Sequence, residues 1–443
     1  MPNKVTFNLD YPPITESNKL YNRAAGLIPA QTQVLAKGPT QYVNGVAPKF
    51  VRRARGARVW DVDGNEFIDY TMAVGPISLG YSYEPVDEAI RRQLEDGINF
   101  SLVHPLEVEV AELIREVIPN AEAVRFSKTG AEVTSAAVRL ARAYTGRDRV
   151  LCCGYHGWHD WYIGLTPRDA GVPAAVKALV HTFAYNDLES VRAGLDTETA
   201  CVILEPMVFE LPQPDFLPRL KALCAEYGAL LIFDEMWTGF RLALGGAQEY
   251  FGVTPDLACY SKAIANGLPL AVLTGRHEVM QLLEDEVFFF TTFGGETLSL
   301  AAAKATITEM RLRNVPAYLA YQGQKLKDGY NQIAADLKLS AVTSCVGHPA
   351  RTLVTFAGDE ALLLKSLLQQ ELIKRGVLWT GFHNLSFSHT NEEIGYTLTA
   401  IREALTLLKQ ALESGQPASR LRGEPVQPVF RQTRDFNVKP RLK

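Results

Sequence analysis

Three charged residues in this sequence follow apolar, strand-like runs. Glu205 comes directly after "CVIL", Asp234 directly after "LLIF", and Lys262 one residue after "LACY". Parallel α/β sheets bind ligands beyond the carboxyl ends of their strands, so we expect these side chains to share one edge of a sheet. A carboxylate at a buried position requires a positive partner. A lysine there loses its charge readily and becomes a nucleophile for carbonyl compounds.

These groups match the chemistry of one cofactor, pyridoxal 5'-phosphate. Its aldehyde forms a Schiff base with a lysine, and its ring nitrogen pairs with a carboxylate. We therefore predict that Lys262 binds the aldehyde carbon and that Asp234 binds the protonated ring nitrogen. The sequence alone leaves two other interpretations open. Asp234 and Glu235 could form a helix-capping turn, and Lys262 could be a solvated surface lysine.

A second segment offers a site for the phosphate of that cofactor. In "SKTGAEV" (127–133), Thr129 and Gly130 stand directly before a predicted helix. The first amides of a helix have no acceptor inside it, so they favour an anion. We predict phosphate binding here, although a Thr-Gly pair is also a common helix start with no ligand.

An aromatic cluster offers contacts for the cofactor ring. "GYHGWHDWY" (154–162) follows a predicted strand. We predict that Tyr155 or His156 lies on one face of the ring and that Met236 lies under the other. The alternative is that this cluster belongs to the core or to an interface.

The elements that must position these residues alternate between strands and helices. This alternation predicts an α/β domain with a mostly parallel sheet, followed by a smaller α+β domain. Asp63-Gly64 is a turn signal that predicts a hairpin. The predicted strands and helices are a helix at 16–27, the hairpin in "ARVWDVDGNEFIDYT", helices at 105–119 and 131–146, strands at 150–154 and 199–206, a helix at 216–228, strands at 229–235, 257–261 and 270–275, helical residues at 297–338, strands at 351–358 and 376–381, and helices at 359–375 and 391–414.

Composition limits the partners of this protein. The formal net charge is -4 and the pI is about 6.1, which argues against nucleic acid or an anionic membrane surface. The six cysteines show neither CxxC pairing nor metal-ligand spacing, so we expect reduced thiols, no metal site and a cytoplasmic protein. No apolar run reaches the length of a membrane span, and the first residues lack an apolar signal segment.

Five motifs together resemble the class III (ω-type, fold type I) pyridoxal-phosphate aminotransferases. They are "KTGAEV" with "RLARAYTGR", "GYHGWHD", "FDEMWTGFR", "YSKAIANGLP" and "TTFGGETLSLAA". The resemblance covers roughly residues 20–414 and is greatest to the branch of glutamate-1-semialdehyde aminomutase. It implies a large domain with a seven-stranded-type, mostly parallel sheet flanked by helices, and a smaller α+β domain.

The resemblance also implies an organisation and a set of residue roles. It implies a homodimer whose active sites are shared between subunits. The expected segments are an N-terminal arm and hairpin (1–75), the large cofactor-binding domain (76–325), a C-terminal small domain (326–414) that the arm completes, and an irregular tail (415–443). The matched residues are Lys262 for the cofactor lysine, Asp234 for the ring-nitrogen partner, Glu205 for the carboxylate near the ring, Tyr155 for the stacking aromatic, Gly130 and Ala131 for the phosphate amides, and Thr292 for the threonine that reaches the neighbouring subunit's phosphate.

The substrate side departs from the aminomutase in three places. Segment 28–39, "IPAQTQVLAKGP", has no arginine where the aminomutase binds its substrate carboxylate, and a lysine does not replace a bidentate arginine. The loop 163–181 is shortened, and a glutamate is replaced within 379–390. The predicted substrate contacts are Gln31, Thr32, Lys37, His383 and Asn384.

We therefore expect an aminotransferase that moves an amino group from a small-molecule donor to a ketone or aldehyde acceptor. The polar substrate segments, together with a resemblance to relatives in amino-sugar and surface-polysaccharide pathways, favour a keto-sugar acceptor. One alternative is a glutamate-1-semialdehyde 2,1-aminomutase or an epimerase on the same scaffold. The other is an inert pyridoxal-phosphate-binding homologue that acts as an assembly partner, against which Lys262 and Asp234 argue.

Overall fold

The computed structural model describes residues 10–427, which form two compact units. The discontinuous unit runs to Tyr83 and resumes at Ala317, and the central unit covers Glu84–Pro316. The segment boundaries expected after residues 75 and 325 stay predictions. The part of the predicted tail from residue 428 to 443 lies outside the described residues.

The strands and helices of the described residues are as follows. The strands are β1 (Val51–Arg55), β2 (Arg58–Asp61), β3 (Glu66–Asp69), β4 (Ala123–Ser127), β5 (Arg149–Cys153), β6 (Val180–Thr182), β7 (Thr199–Leu204), β8 (Leu230–Asp234), β9 (Leu257–Tyr260), β10 (Ala271–Gly275), β11 (Thr343–His348), β12 (Arg351–Phe356), β13 (Val377–Leu378) and β14 (Phe382–Asn384). The helices are α1 (Thr15–Ala24), α2 (Glu84–Asp96), α3 (Pro105–Val117), α4 (Gly130–Thr145), α5 (Asp160–Ile163), α6 (Ala174–Ala178), α7 (Leu188–Gly194), α8 (Phe216–Tyr227), α9 (Ala247–Phe251), α10 (His277–Met280), α11 (Leu282–Asp285), α12 (Thr297–Leu312), α13 (Val315–Asp336), α14 (Ala361–Lys374) and α15 (Asn391–Glu413).

The central unit is built on a seven-stranded sheet with the order β4-β10-β9-β8-β7-β5-β6. The pairs β5–β6, β5–β7, β7–β8 and β8–β9 are parallel, and β10 is antiparallel to both β4 and β9. Every residue of β7 and β8 is buried, as expected for apolar strands that helices cover on both faces. The predicted fold class, a mostly parallel α/β sheet of the fold type I kind, is confirmed.

Helix α4 shows how local sequence sets the position of a site element. Thr129 caps its first turn by accepting from the amide of Glu132, and the Glu132 side chain accepts from the amide of Thr129. This is a capping box. The helix ends at Gly146, whose φ of 66° is left-handed. These signals explain why the prediction from sequence placed this helix within one residue of its observed ends.

The discontinuous unit contains a four-stranded sheet, β1-β2-β3-β13, and a three-stranded sheet, β11-β12-β14. The predicted hairpin is the antiparallel pair β2–β3. Part of the predicted tail is ordered into this unit, because Asn44 pairs with Glu424 and Val426 is buried in its core. Within residues 10–427, no helix combines the length and apolar composition needed to cross a membrane.

Candidate active site

Four neighbouring strands of the central unit end at the same edge of the sheet. Strand register pairs Cys153 with Leu204, Leu204 with Phe233, and Asp234 with Cys259. Because all four strands are parallel, the residues that follow them share that edge. These are His156 after β5, Glu205 after β7, Asp234 at the end of β8 and Lys262 after β9.

The Asp234 carboxylate is buried and held in place on both oxygens. Its Oδ2 lies 2.8 Å from Nδ1 of His156, and its Oδ1 accepts from the amide of Met236 at 3.0 Å. Nε2 of His156 lies 3.1 Å from the carbonyl oxygen of Cys153. Both ring nitrogens of His156 therefore lie within hydrogen-bond distance of an oxygen, one from Asp234 and one from Cys153. The prediction placed Tyr155 or His156 on one face of the cofactor ring; the structure shows His156 against Asp234, and the contact with the ring stays a prediction.

Glu205 and Tyr155 are joined through the backbone. Oε2 of Glu205 accepts from the amide of Tyr155 at 2.8 Å. Gly154, with φ of 110°, makes this approach possible, because a Cβ there would lie 2.7 Å from the same oxygen. The ring of Tyr155 is 38% exposed and packs edge-on against Tyr162, with centroids 5.5 Å apart. An exposed aromatic face therefore stands beside the Glu205 carboxylate.

Lys262 begins a short 3-10 turn, Lys262–Ala265, directly beyond β9. Its φ is 51°, which is uncommon for a residue with a side chain and marks a conformation that the surrounding structure enforces. The turn is held by Ser261, whose hydroxyl donates to the carbonyl of Leu270 at 2.7 Å. Lys262 thus leaves the strand in a fixed direction.

The N-terminus of α4 stands at the same edge of the sheet. The amides of Gly130 and Ala131 occupy its first two positions and have no acceptor within the helix. A Cβ on Gly130 would lie 2.7 Å from Sδ of Met236, which places Met236 beside the start of the helix. The structure therefore brings Met236, Thr129, Gly130 and Ala131 together.

Thr292 lies on the wall of an open cavity of about 650 Å³ in the central unit. Its carbonyl accepts from the side chain of Asn99 at 3.4 Å. The walls of the cavity carry exposed apolar side chains, among them Phe100, Leu102 and Phe290. The predicted contact of Thr292 with a neighbouring subunit's phosphate stays a prediction.

The predicted substrate contacts all lie in the discontinuous unit. Gln31 has φ of 52°, Thr32 closes a turn onto Val34, and Lys37 is exposed. His383 is buried, with Nδ1 2.8 Å from the hydroxyl of Thr352, and burial lowers its pKa to about 3. The side chain of Asn384 is also buried and donates to the carbonyl of Thr71 at 2.9 Å. The substrate roles stay predictions, and for His383 and Asn384 the observed contacts are structural.

Comparison with known proteins decides the family. A family profile described as aminotransferase class-III matches residues 41–348. The 3-aminobutyryl-CoA aminotransferase of Cloacimonas acidaminovorans (strain Evry) is 36% identical over 414 residues, which cover 90% of this chain and 99% of that relative. The chain belongs to the class III aminotransferases. The resemblance described from the sequence motifs is confirmed, and so is the cofactor, pyridoxal 5'-phosphate.

Solved structures agree with this class III aminotransferase in fold over nearly its whole length. The FumI protein of Sphingopyxis sp. MTA144 has a TM-score of 0.85 and 30% identity, covering 92% of this chain and 100% of that chain. A β-phenylalanine aminotransferase from Variovorax paradoxus has a TM-score of 0.77 and 27% identity, covering 88% and 94%.

The residues of the aminotransferase fit its cofactor. The site edge carries a lysine for the aldehyde carbon, a buried carboxylate for the ring nitrogen and a helix N-terminus for the phosphate. The phosphate turn, Thr129 to Ala131, is the segment predicted to bind the phosphate. It leaves no room for a side chain at Gly157, where a Cβ would lie 2.7 Å from Cβ of Ala131. Among the described residues, no group of three or more His, Cys, Asp or Glu is arranged to hold a metal ion.

The sequence interpretation missed two features of this edge. One is the contact of His156 with Asp234, which lies 78 residues away. The other is an ion pair between Lys128 and Glu296, 2.9 Å apart. The spacing Thr129-x-x-Glu132 was a readable capping signal, but no local pattern indicates either long-range contact.

Proposed function

We propose that Lys262 and Asp234 carry the chemistry of this aminotransferase. The observation that supports the assignment is their position at the ends of the neighbouring strands β8 and β9, where Asp234 is buried and bound to His156. Bound at this edge, pyridoxal phosphate supplies an electron-withdrawing ring next to the carbon whose nitrogen is transferred.

The chain's own residues then move and hold protons. Nζ of Lys262 would remove the proton from the carbon that bears the donor's amine. It would deliver that proton to the aldehyde carbon of the cofactor, which takes over the nitrogen. The carboxylate of Asp234 holds the proton of the ring nitrogen, which stabilises the negative charge that develops on the ring. His156 positions Asp234 through Oδ2.

The other site residues position the cofactor. The amides of Gly130 and Ala131 bind the phosphate at the helix N-terminus, and Thr129 caps that turn. Tyr155 and Met236 cover the two faces of the ring. Glu205 lies near the ring, held by the amide of Tyr155.

For the substrate, we propose an amine on the third carbon of an acyl compound, paired with the corresponding 3-oxo acceptor. The observation that carries this proposal is the 36% identity to a 3-aminobutyryl-CoA aminotransferase across nearly the full length of both chains. The absence of arginine from segment 28–39 fits it, because an acyl thioester has no α-carboxylate that requires a bidentate clamp. The name of the β-phenylalanine aminotransferase points to an amine at the same carbon.

A keto-sugar acceptor is the second candidate. It rests on the polar side chains Gln31, Thr32 and Lys37, which stand in the segment that lacks the arginine. Polyhydroxy compounds require many hydrogen-bonding partners, and an acyl chain does not.

A donor and acceptor screen decides between the candidates. The enzyme loaded with amino group is mixed separately with 3-oxobutyryl-CoA, 3-oxo-3-phenylpropanoate, free and nucleotide-linked keto-sugars, and glutamate-1-semialdehyde, and products are read by mass spectrometry. Lys262→Ala is the control for background reaction. We expect amination of the 3-oxoacyl compounds. Amination of sugars alone would favour the second candidate, and conversion of the semialdehyde to 5-aminolevulinate would favour an aminomutase.

We further propose that the enzyme is a cytoplasmic homodimer. Thr292 lines a cavity whose walls carry several large, exposed apolar side chains. Exposed apolar surface of this kind is typical of a subunit interface. All six cysteines are buried and form no disulfide within residues 10–427, as in proteins of a reducing compartment.

A further inference from the structure

A partly buried ion pair adjoins the predicted phosphate turn of the central unit. Nζ of Lys128 lies 2.9 Å from Oε2 of Glu296, and the two side chains are only 16% and 14% exposed. Lys128 directly precedes Thr129, the cap of α4, and its amide donates to the Glu132 side chain at 3.0 Å. The pair therefore begins one residue from the amides assigned to the phosphate.

Glu296 is also the cap of a second helix. It accepts from the amides of Leu298 at 2.6 Å and Ser299 at 3.3 Å, the first turn of α12. Burial raises the pKa of Glu296, but the hydroxyl of Ser299, the Lys128 ammonium and the amide of Leu298 together hold that pKa below its usual range. Glu296 thus fixes the turn before α4 to the start of α12.

The same cap is connected to the lysine turn. The hydroxyl of Ser299 lies 2.6 Å from Oε2 of Glu296 and 3.1 Å from the carbonyl oxygen of Pro269. The next residue, Leu270, accepts from Ser261, which precedes Lys262. One series of polar contacts therefore runs from Lys128 to the residues that hold Lys262.

We propose that the Lys128–Glu296 pair sets the charge at the phosphate site. This proposal rests on the assignment of Gly130 and Ala131 to the phosphate. Removing one partner of a partly buried ion pair leaves the other charge without its counterion, and partial burial reduces its screening by salt. The two possible remaining charges act in opposite directions on a bound phosphate: a lone Glu296 repels it and a lone Lys128 attracts it.

The test measures cofactor affinity in a double-mutant cycle. The dissociation constant of pyridoxal phosphate is measured by equilibrium dialysis for wild type, Lys128→Met, Glu296→Gln and the double variant. We expect Lys128→Met to weaken binding at least about tenfold, because the uncompensated carboxylate of Glu296 then repels the phosphate dianion. Glu296→Gln is expected to bind as tightly as wild type or more tightly, and the double variant to lie between the single variants.

A probe without phosphate separates this role from a purely structural one. Pyridoxal has the same ring and aldehyde, so its affinity should change less than twofold in Lys128→Met. The matched control is Lys304→Met with Glu109→Gln, which removes an exposed ion pair of the same unit, 2.7 Å between N and O, and should leave both affinities unchanged.

Two results would overturn the proposal. One is equal weakening in both single variants, which indicates that only the shape of the turn matters. The other is equal loss of pyridoxal and pyridoxal phosphate, which places the effect away from the phosphate. If wild type itself fails to bind pyridoxal phosphate, the proposed cofactor site is wrong, and that outcome is distinguishable because it needs no variant.

Discussion

The Asp234 carboxylate shows how a single residue's environment prepares it for its role. Burial makes an isolated carboxylate costly, and here the cost is offset by His156 on one oxygen and a backbone amide on the other. The carboxylate retains lone pairs for a further donor. A ring nitrogen at this point therefore meets a partner that needs no rearrangement.

Replacing Asp234 by asparagine removes that charge without changing the shape of the side chain. We expect the turnover rate to fall about a hundredfold or more, because a preorganised electrostatic stabiliser is lost. Cofactor affinity should fall with it, measured by the visible absorbance that remains after dialysis. The control is Asp256→Asn, since Asp256 precedes β9 and stands at the opposite edge of the sheet. Near-wild-type turnover in Asp234→Asn would show that Asp234 is only a capping residue.

His383 gives a pH-dependent prediction for a residue in the core of the discontinuous unit. Its pKa is about 3 in the folded protein and about 6.5 when unfolded. The folded state therefore binds fewer protons than the unfolded state between these values, and stability falls as pH drops through this range. The stability of wild type should decline more steeply between about pH 7 and pH 4 than that of His383→Asn, measured by urea unfolding. His181→Asn, at an exposed position, should keep the wild-type slope; identical slopes for wild type and His383→Asn would contradict the assignment.

The individual residues differ in how far the sequence could predict them. The positions of Asp234 and Lys262 at the ends of their strands were readable, because an apolar run ends directly before Asp234 and one residue before Lys262. The contact of His156 with Asp234 depends on the packing of β5 near β8, which no local pattern encodes. The burial of His383 was not readable either, because it stands in a polar stretch and its contact with Thr352 is long-range; its substrate role stays a prediction.

At the scale of elements, the loop after β5 must leave room for the start of α4. Gly157, with φ of 103°, lies against Ala131, so the loop after β5 can approach the helix only without a side chain at that position. The loop after β5, which carries the aromatic cluster of residues 154–162, therefore packs closely against the start of α4.

Gly157→Ala should displace this helix start. The new Cβ would lie 2.7 Å from Cβ and 2.9 Å from Cα of Ala131, and backbone cannot yield as a flexible side chain does. We expect affinity for pyridoxal phosphate to fall at least about tenfold, as one good hydrogen bond to a charged group is lost. Gly171→Ala is the matched control, because Gly171 has φ of 89° and open space around it. Equal affinities of the two variants for pyridoxal phosphate would contradict this prediction, because the contact with Ala131 would then add nothing to the effect of backbone strain.

The elements that sequence patterns predicted are those with strong local signals. The buried strands β7, β8 and β9 and the capped helices α3, α4 and α15 carry such signals. The prediction overlooked β1, β4, β6, β11 and β14; β6 and β14 have three residues each, and β11 contains a glycine and polar residues. The antiparallel direction of β10 was also unreadable, because a short apolar run has the same pattern in either direction.

At the scale of the whole molecule, the surface of the central unit suggests a second copy. Several large apolar side chains around the Thr292 cavity are strongly exposed, with Leu102 at 86% and Val103 at 74%. Contiguous exposed apolar surface of this kind marks an interaction site. A homodimer would cover it.

Leu102→Glu should disrupt that interface. We expect wild type to elute with the mass of a dimer, by size-exclusion chromatography with light scattering, and Leu102→Glu to shift toward the monomer, because a charge placed in an apolar interface must be desolvated. Leu211→Glu, an exposed leucine outside the cavity, should remain dimeric. A monomeric wild type would contradict the proposal.

The most direct test of the central claim is the identity of the lysine that binds the cofactor. Wild-type enzyme loaded with pyridoxal phosphate is reduced with borohydride, digested and mapped by mass spectrometry. The account predicts a covalent pyridoxyl label on Nζ of Lys262 alone, and no label in Lys262→Ala. A label on Lys128, Lys37 or any other lysine, with Lys262 unmodified, would contradict it.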